Sequence, residues 1–206
     1  MKARGLSGGR LHLEPGMRVG LFGGSFNPVH AGHVHAAAIA RRRLGLQRVI
    51  WLVTPGNPLK AGPAALSDRL TAASRVAGRG TIVSDIEAQL GLRYSIDTVR
   101  LIKRRFPKVH FVFVIGSDNF ASLHAWRDWR RLMRQIPLAV IARPGASLSA
   151  LRSPAARRFA FARLPESAGR RLARRRPPAW IYLGGRWNYA SSTALRELAD
   201  QAAHSC

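Results

Sequence analysis

Short apolar runs alternate with helix-like stretches along most of this 206-residue chain. Residues 17–22, 49–54, 81–84, 109–115, 138–142 and 180–183 read as strands. Most of these runs are continuously apolar rather than alternating, the pattern of strands covered on both faces. Between them, residues 31–44, 66–77, 95–106 and 126–133, and 193–202 beyond the last strand, read as helices. This order predicts an α/β architecture, a doubly wound, Rossmann-like parallel sheet with right-handed crossovers and helices on both faces in one domain. Ligands of such sheets sit beyond the carboxyl ends of the strands. Residues 1–16, rich in glycine and basic residues, are expected to be a flexible leader, and 17–206 the domain. Residues 144–178 hold dense proline and arginine without a clear period and are expected to form a variable surface excursion.

Composition narrows the class. The length suits one domain with a sizeable core, and 47% hydrophobic residues argue against general disorder. No apolar run has the length of a membrane span, and no signal-peptide pattern opens the chain. The single cysteine, Cys206, has no partner within the chain, so no disulfide framework and no cysteine zinc site are expected. A cytoplasmic protein is the simplest expectation. The net charge of +24 raises nucleic acid as a partner. However, the basic residues are dispersed, arginine far outnumbers lysine, and no aromatic-basic interleaving of a nucleic-acid module is present. Anionic small substrates, with no specific nucleic acid and no membrane, fit this distribution better. The oligomeric state is left open.

The candidate chemistry begins where the first strand meets the first helix. Gly23-Gly24-Ser25-Phe26-Asn27-Pro28-Val29-His30-Ala31-Gly32-His33 combines a glycine turn, a helix start and two histidines at i and i+3. Glycines let backbone approach a ligand closely, and a helix start presents unpaired N–H groups with a partial positive charge. Two imidazoles on one side of that start add donors for phosphate oxygens. Late in the chain, Ser191 and Ser192 are typical helix-start residues followed by Thr193 and Arg196. Asp118 follows an apolar strand and a glycine, where it can cap a helix or accept from a ligand hydroxyl. Trp126 can pack in the core or stack on a ring.

The first string resembles the G-G-x-F-[DN]-P-x-H-x-G-H signature of the nucleotidylyltransferase superfamily, and Ser191-Ser192-Thr193-Ala194-Leu195-Arg196 resembles its S-S-T-x-[LI]-R element. Within that superfamily, the middle of the chain is similar to the bacterial nicotinate-nucleotide adenylyltransferase family. The similar segments are Ile115-Gly116-Ser117-Asp118 with Trp126-Arg127-Asp128-Trp129, Tyr94-Ser95-Ile96-Asp97-Thr98, residues 54–60, and Arg143-Pro144-Gly145. Together they cover residues 17 to about 200.

The resemblance implies joining of ATP and nicotinate mononucleotide to nicotinate adenine dinucleotide, with release of pyrophosphate, in NAD biosynthesis. It implies direct in-line attack on the ATP α-phosphorus with His30, His33 and Arg196 as catalytic groups. It assigns ATP binding to Gly23, Gly24, Ser25, Phe26, Gly32, Asp118, Arg143, Ser191, Ser192 and Thr193. Asn57, Lys60, Tyr94, Thr98 and Trp126 would line the mononucleotide site, and Trp129 would pack internally. Mg2+ is the expected cofactor, held mainly by ATP phosphates rather than by a protein ligand set. Two positions depart from the family pattern: Asn27 stands where aspartate is commoner, and Leu59 where a histidine often precedes the basic residue. Pantetheine-phosphate adenylyltransferases, a rival branch, are shorter and usually carry threonine at the position of His30. Glycerol-phosphate cytidylyltransferases are also shorter and lack the two-tryptophan segment.

Overall fold

A computed structural model describes residues 12–55, 64–143 and 145–184. Its strands are β1 (Arg18–Gly24), β2 (Arg48–Val53), β3 (Thr81–Ser84), β4 (His110–Gly116), β5 (Leu138–Ile141), β6 (Arg163–Leu164) and β7 (Trp180–Leu183). Its helices are α1 (Ala31–Leu44), α2 (Leu66–Val76), α3 (Ile86–Gln89), α4 (Ser95–Arg105), α5 (Ser117–Ala121), α6 (Trp129–Gln135), α7 (Ser147–Leu151), α8 (Pro154–Arg158) and α9 (Gly169–Leu172). The strands form one parallel sheet in the order β3-β2-β1-β4-β5-β7-β6. The chain leaves β1 toward β2 and β3, then returns to add β4 on the other side of β1. The reversal places a topological switch point, the usual ligand crevice, between the carboxyl ends of β1 and β4.

Continuous apolar sequence in the strands follows from burial on both faces. Along β4, Phe111, Phe113 and Ile115 enter one core while Val112 and Val114 enter the other. The first core is closed by α4 through Ile96, Val99 and Ile102, by Phe120 of α5, and by Leu132 and Met133 of α6. The second is closed by Ala36, Ala40 and Leu44 of α1, Ala73 of α2 and Leu172 of α9. Alanine favours helix and keeps α1 slim against the sheet. Gly45 ends α1 at φ 63, and its N–H donates to Arg41 O, a left-handed stop that a side chain resists. Arg41, Arg42 and Arg43 lie in the last turn, where the helix dipole favours cations. Among the described residues no helix is long and apolar enough to cross a membrane.

The predicted strands all form, within two residues at either end. Helices α3, α5, α7, α8 and α9 are four or five residues long, too short to display an apolar period. The helix expected from Trp126 begins at Trp129 instead, because Asp128 is left-handed at φ 52 and interrupts helical backbone. Part of the segment expected as a surface excursion is buried. Ala150, Ala155, Phe159 and Ala162 are buried in the first core, and Leu172 and Ala173 in the second. Trp180 Nε1 donates to Phe159 O at 2.7 Å, tying this segment to β7. Small alanines carry the packing, so an arginine-rich sequence gave no apolar stripe. Within the expected leader, residues 1–11 lie outside the described residues. Gly16 N–H donates to Lys108 O at 2.7 Å, and Leu13 packs partly against the first core. The helix expected at 193–202 also lies outside the described residues.

Candidate active site

Gly23 and Gly24 end β1 in register with Leu52 and Val53 of β2. Two residues on, Phe26 adopts φ 48, an uncommon conformation for a side chain of this size. Its ring is fully buried, stacks on Trp51 at 5.0 Å between centroids, and lies 4.7 Å from the His33 ring. Burial of such a ring contributes about 1.5–3 kcal/mol and anchors the turn from beneath. A Cβ at Gly24 would come within 3.2 Å of the Phe26 ring, so the bare backbone there leaves space for it.

The start of α1 is capped by its own histidines. His30 is the N-cap residue, and its Nδ1 accepts from Gly32 N–H at 3.0 Å. His33 Nδ1 accepts from His30 N–H at 3.3 Å. The two rings lie 3.9 Å apart and are 7% and 6% exposed. Both Nδ1 atoms are acceptors, so each neutral imidazole carries its proton on Nε2. His30 Nε2 is buried and has no partner among the described residues. Burial, then the positive charge of Arg143, lowers the His30 pKa to about 4, against a smaller upward pull from Asp118. His33 is lowered to about 3, by burial first and then by His30 and Arg143. Near neutral pH the pair therefore offers neutral N–H donors rather than cations.

These values carry a pH signature. Both folded-state values lie below the ordinary 6.5, so between about pH 4 and pH 6.5 the unfolded chain binds more protons than the folded one. These histidines favour the folded state above that window and lose stability as pH falls through it. Site-resolved nitrogen NMR on the free protein is expected to show Nε2–H tautomers for His30 and His33, unchanged from about pH 8 to about pH 5. Ordinary titration near 6.5 would contradict this arrangement.

Across the crevice, Gly116 ends β4 and Arg143 follows β5. Arg143 Nε lies 3.5 Å from Asp118 Oδ1, and Arg143 N–H donates to Ser117 Oγ at 2.8 Å. A Cβ at Gly116 would collide with Asp118 Oδ1 and lie 2.8 Å from Arg143 Nε. Only glycine leaves the pair where it is. His30, His33, Asp118 and Arg143 are thus gathered at the carboxyl ends of β1, β4 and β5, beside the glycine turn.

The expected mononucleotide residues are placed less uniformly. Tyr94 precedes α4 and is 36% exposed, with the Arg127 guanidinium 4.7 Å from its ring centre. Trp126 is half-buried, edge-on to Phe113 at 6.4 Å. Thr98 does not line an open pocket through its side chain. It is fully buried, and its hydroxyl donates to Glu87 Oε1 at 2.8 Å. Burial raises the Glu87 pKa, and the hydrogen bond from Thr98 partly offsets that rise. Trp129 is buried as expected, against Phe159. Asn57, Lys60, Ser191, Ser192, Thr193 and Arg196 lie outside the described residues.

Sequence reasoning missed Arg69 as a residue that braces the turn, while Gly116 and Ser117 were expected at the ligand end of the fourth strand without individual roles. Arg69 had a visible signal. It occupies the face of α2 marked by Leu66, Leu70 and Ala73, an arginine at a core position. Among the described residues no three metal-ligating side chains gather. Asp118, the carboxylate of this cluster, is paired with Arg143, and position 27 holds an amide. This donor set suits a metal carried by substrate phosphates and water rather than a protein-built cage.

The cytidylyltransferase-like family pattern matches residues 21–198. A probable nicotinate-nucleotide adenylyltransferase of Caulobacter sp. (strain K31) is 55% identical over 183 residues, covering 87% of this chain and 97% of the relative. One from Ruegeria pomeroyi is 48% identical over 187 residues, covering 90% and 88%. In fold, the chain is similar to Plasmodium falciparum nicotinic acid mononucleotide adenylyltransferase, solved in complex with NaAD. The TM-score is 0.66 at 15% identity, covering 88% of this chain and 83% of that one. By sequence over nearly its whole length, the chain belongs to the cytidylyltransferase-like family and, within it, to the nicotinate-nucleotide adenylyltransferases.

Proposed function

We propose that this enzyme joins ATP and nicotinate mononucleotide to give nicotinate adenine dinucleotide and pyrophosphate, in NAD biosynthesis. The observation that carries this reading is the imidazole pair at the switch point, with both Nδ1 atoms occupied by backbone N–H groups, so that each neutral ring carries its N–H on Nε2. An oxygen of the mononucleotide 5′-phosphate attacks the α-phosphorus of ATP in line. The new phosphorus–oxygen bond forms as the bond to the β-phosphate oxygen breaks, and its electron pair leaves with pyrophosphate. No covalent enzyme intermediate is required. His30 and His33 donate to α-phosphate oxygens, and these bonds strengthen as charge builds. Gly23, Gly24 and Gly32 admit the phosphates, and Ser25 and Phe26 offer backbone N–H groups. Arg143, Ser191, Ser192, Thr193 and Arg196 meet the triphosphate, and Asp118 accepts from the ribose. Mg2+ would be held by ATP phosphates and water and would supply charge neutralisation. The cytoplasm is the proposed setting.

Tyr94 and Trp126 are assigned to the pyridine ring, whose cationic form favours an aromatic face. Asn57 and Lys60 are assigned to the same substrate. Since the Thr98 hydroxyl is engaged with Glu87, Thr98 acts by holding the base of α4 beneath Tyr94. The exposed guanidinium of Arg127 beside Tyr94 supports preference for a carboxylate over an amide. An amide would also present an NH2 group toward donors, a mismatch of about 1–3 kcal/mol.

The test is an acceptor panel with ATP and Mg2+, reading pyrophosphate release. Nicotinate mononucleotide should exceed the nicotinamide form by at least several-fold in kcat/KM and exceed phosphopantetheine by far more. Equal values for the two pyridine nucleotides would reject the pocket assignment. Trp126→Ala should weaken both pyridine acceptors alike.

A further inference from the structure

Beneath the glycine turn lies a buried cation that has no counter-ion among the described residues. Arg69 of α2 is 3% exposed. Its Nε donates to Ala64 O at 2.9 Å, and Nη2 donates to Pro55 O at 3.0 Å. Its Nη1 donates both to Thr54 O at 2.7 Å and to Ser25 O at 2.8 Å. Four of the five guanidinium N–H groups are thereby used, all on neutral carbonyls. Among the described residues no carboxylate pairs with it, and residues 56–63 contain no acidic side chain. A buried charge with no opposite charge is costly to the fold and asks for a compensating role.

The bond to Ser25 O supplies one. Ser25 C=O and Phe26 N–H belong to the same peptide unit, which is planar and trans, so they point in opposite directions. Fixing the carbonyl downward onto Arg69 aims the Phe26 N–H away from the core. Phe26 is also the residue held at φ 48. A turn in such a conformation needs restraint on both sides, and here the Phe26 ring and the Arg69 fork provide it. The same fork ties this turn to Thr54 and Pro55, where β2 opens toward the expected mononucleotide loop.

We propose that Arg69 is a positioning residue for nucleotidyl transfer, setting the phosphate-binding turn against the end of β2 and placing under it a positive charge whose counter-charge is the substrate triphosphate. This rests on the functional reading above and deepens it by linking the two substrate loops through one side chain.

The experiment compares Arg69→Lys and Arg69→Met with the parent protein, measuring kcat, KM for each substrate, and Tm with and without ATP. Lysine keeps the charge but not the fork. Its kcat is expected to fall about tenfold, and that of the methionine variant about 100-fold, the scale of ångström-level misplacement at a reacting centre. KM for the mononucleotide should change less than kcat. The rise in Tm on adding ATP should shrink in the order parent, lysine, methionine. Either variant, folded and with kcat within a factor of about two of the parent, overturns the proposal. If methionine prevents folding, the lysine variant decides on the same criterion. Should the parent make no dinucleotide, the functional reading fails, and the ATP-dependent Tm order still tests Arg69 alone. An equal Tm rise in all three proteins then rejects the proposal.

Discussion

Replacing His33 with alanine is expected to lower kcat by about 100- to 1000-fold, the loss of about 2.7–4 kcal/mol typical of a preorganised donor at a developing charge. The value rests on geometry. His33 is 6% exposed and held by His30 N–H on Nδ1 and by the Phe26 ring at 4.7 Å, so its Nε2–H direction is fixed before substrate arrives. Alanine would also remove the cap contact, worth about 0.5–2 kcal/mol to the fold. His33→Asn separates the two effects. The asparagine carbonyl oxygen can take the place of Nδ1 as acceptor for His30 N–H, but nothing replaces Nε2–H. The asparagine variant should therefore keep more of the parent Tm than alanine does and lose about as much kcat. A folded asparagine variant with kcat within a few-fold of the parent would remove His33 from the transition state.

Gly116→Ala is expected to lower kcat/KM for ATP by about 100-fold, again the scale of a small misplacement near the chemistry, with a modest change in Tm. The new Cβ would collide with Asp118 Oδ1 and press on Arg143 Nε. Both are ends of movable side chains, so the fold can yield, but the pair must separate. Arg143 is also among the charges that keep His30 and His33 neutral, so its displacement changes the field at both imidazoles. Unchanged ATP kinetics in this variant would show that the Asp118–Arg143 arrangement does not matter to the nucleotide.

Much of this was written in the apolar runs. β1, β2, β4, β5 and β7 are central or covered strands, and continuous burial on two faces leaves an unambiguous signal. The histidine turn was legible because glycine, helix start and donors fall within eleven residues. Contacts across the fold were not legible. Arg69 reaches Ser25 from 44 positions away, and Arg143 reaches Ser117 from 26, distances at which no local pattern survives. Thr98 was placed correctly on α4, but the face it turns toward Glu87 depends on how α3 packs, and α3 is four residues long. The burial within the expected excursion at 144–178 was not legible, because alanine and arginine together carry no apolar stripe, although Ala150, Ala155 and Ala162 are buried. Asp128 could not be foreseen as the break before α6, since its φ of 52 is a property of the folded turn.

In the proposed reaction the adenylyl group passes directly from ATP to the mononucleotide. ATP labelled at its α-phosphorus, incubated with the purified protein, Mg2+ and nicotinate mononucleotide, tests it in one step. The label is expected to move into a dinucleotide only when the mononucleotide is present, with one pyrophosphate released per dinucleotide formed and no label left on the protein. Label retained on the protein, or no mononucleotide-dependent product, would contradict it.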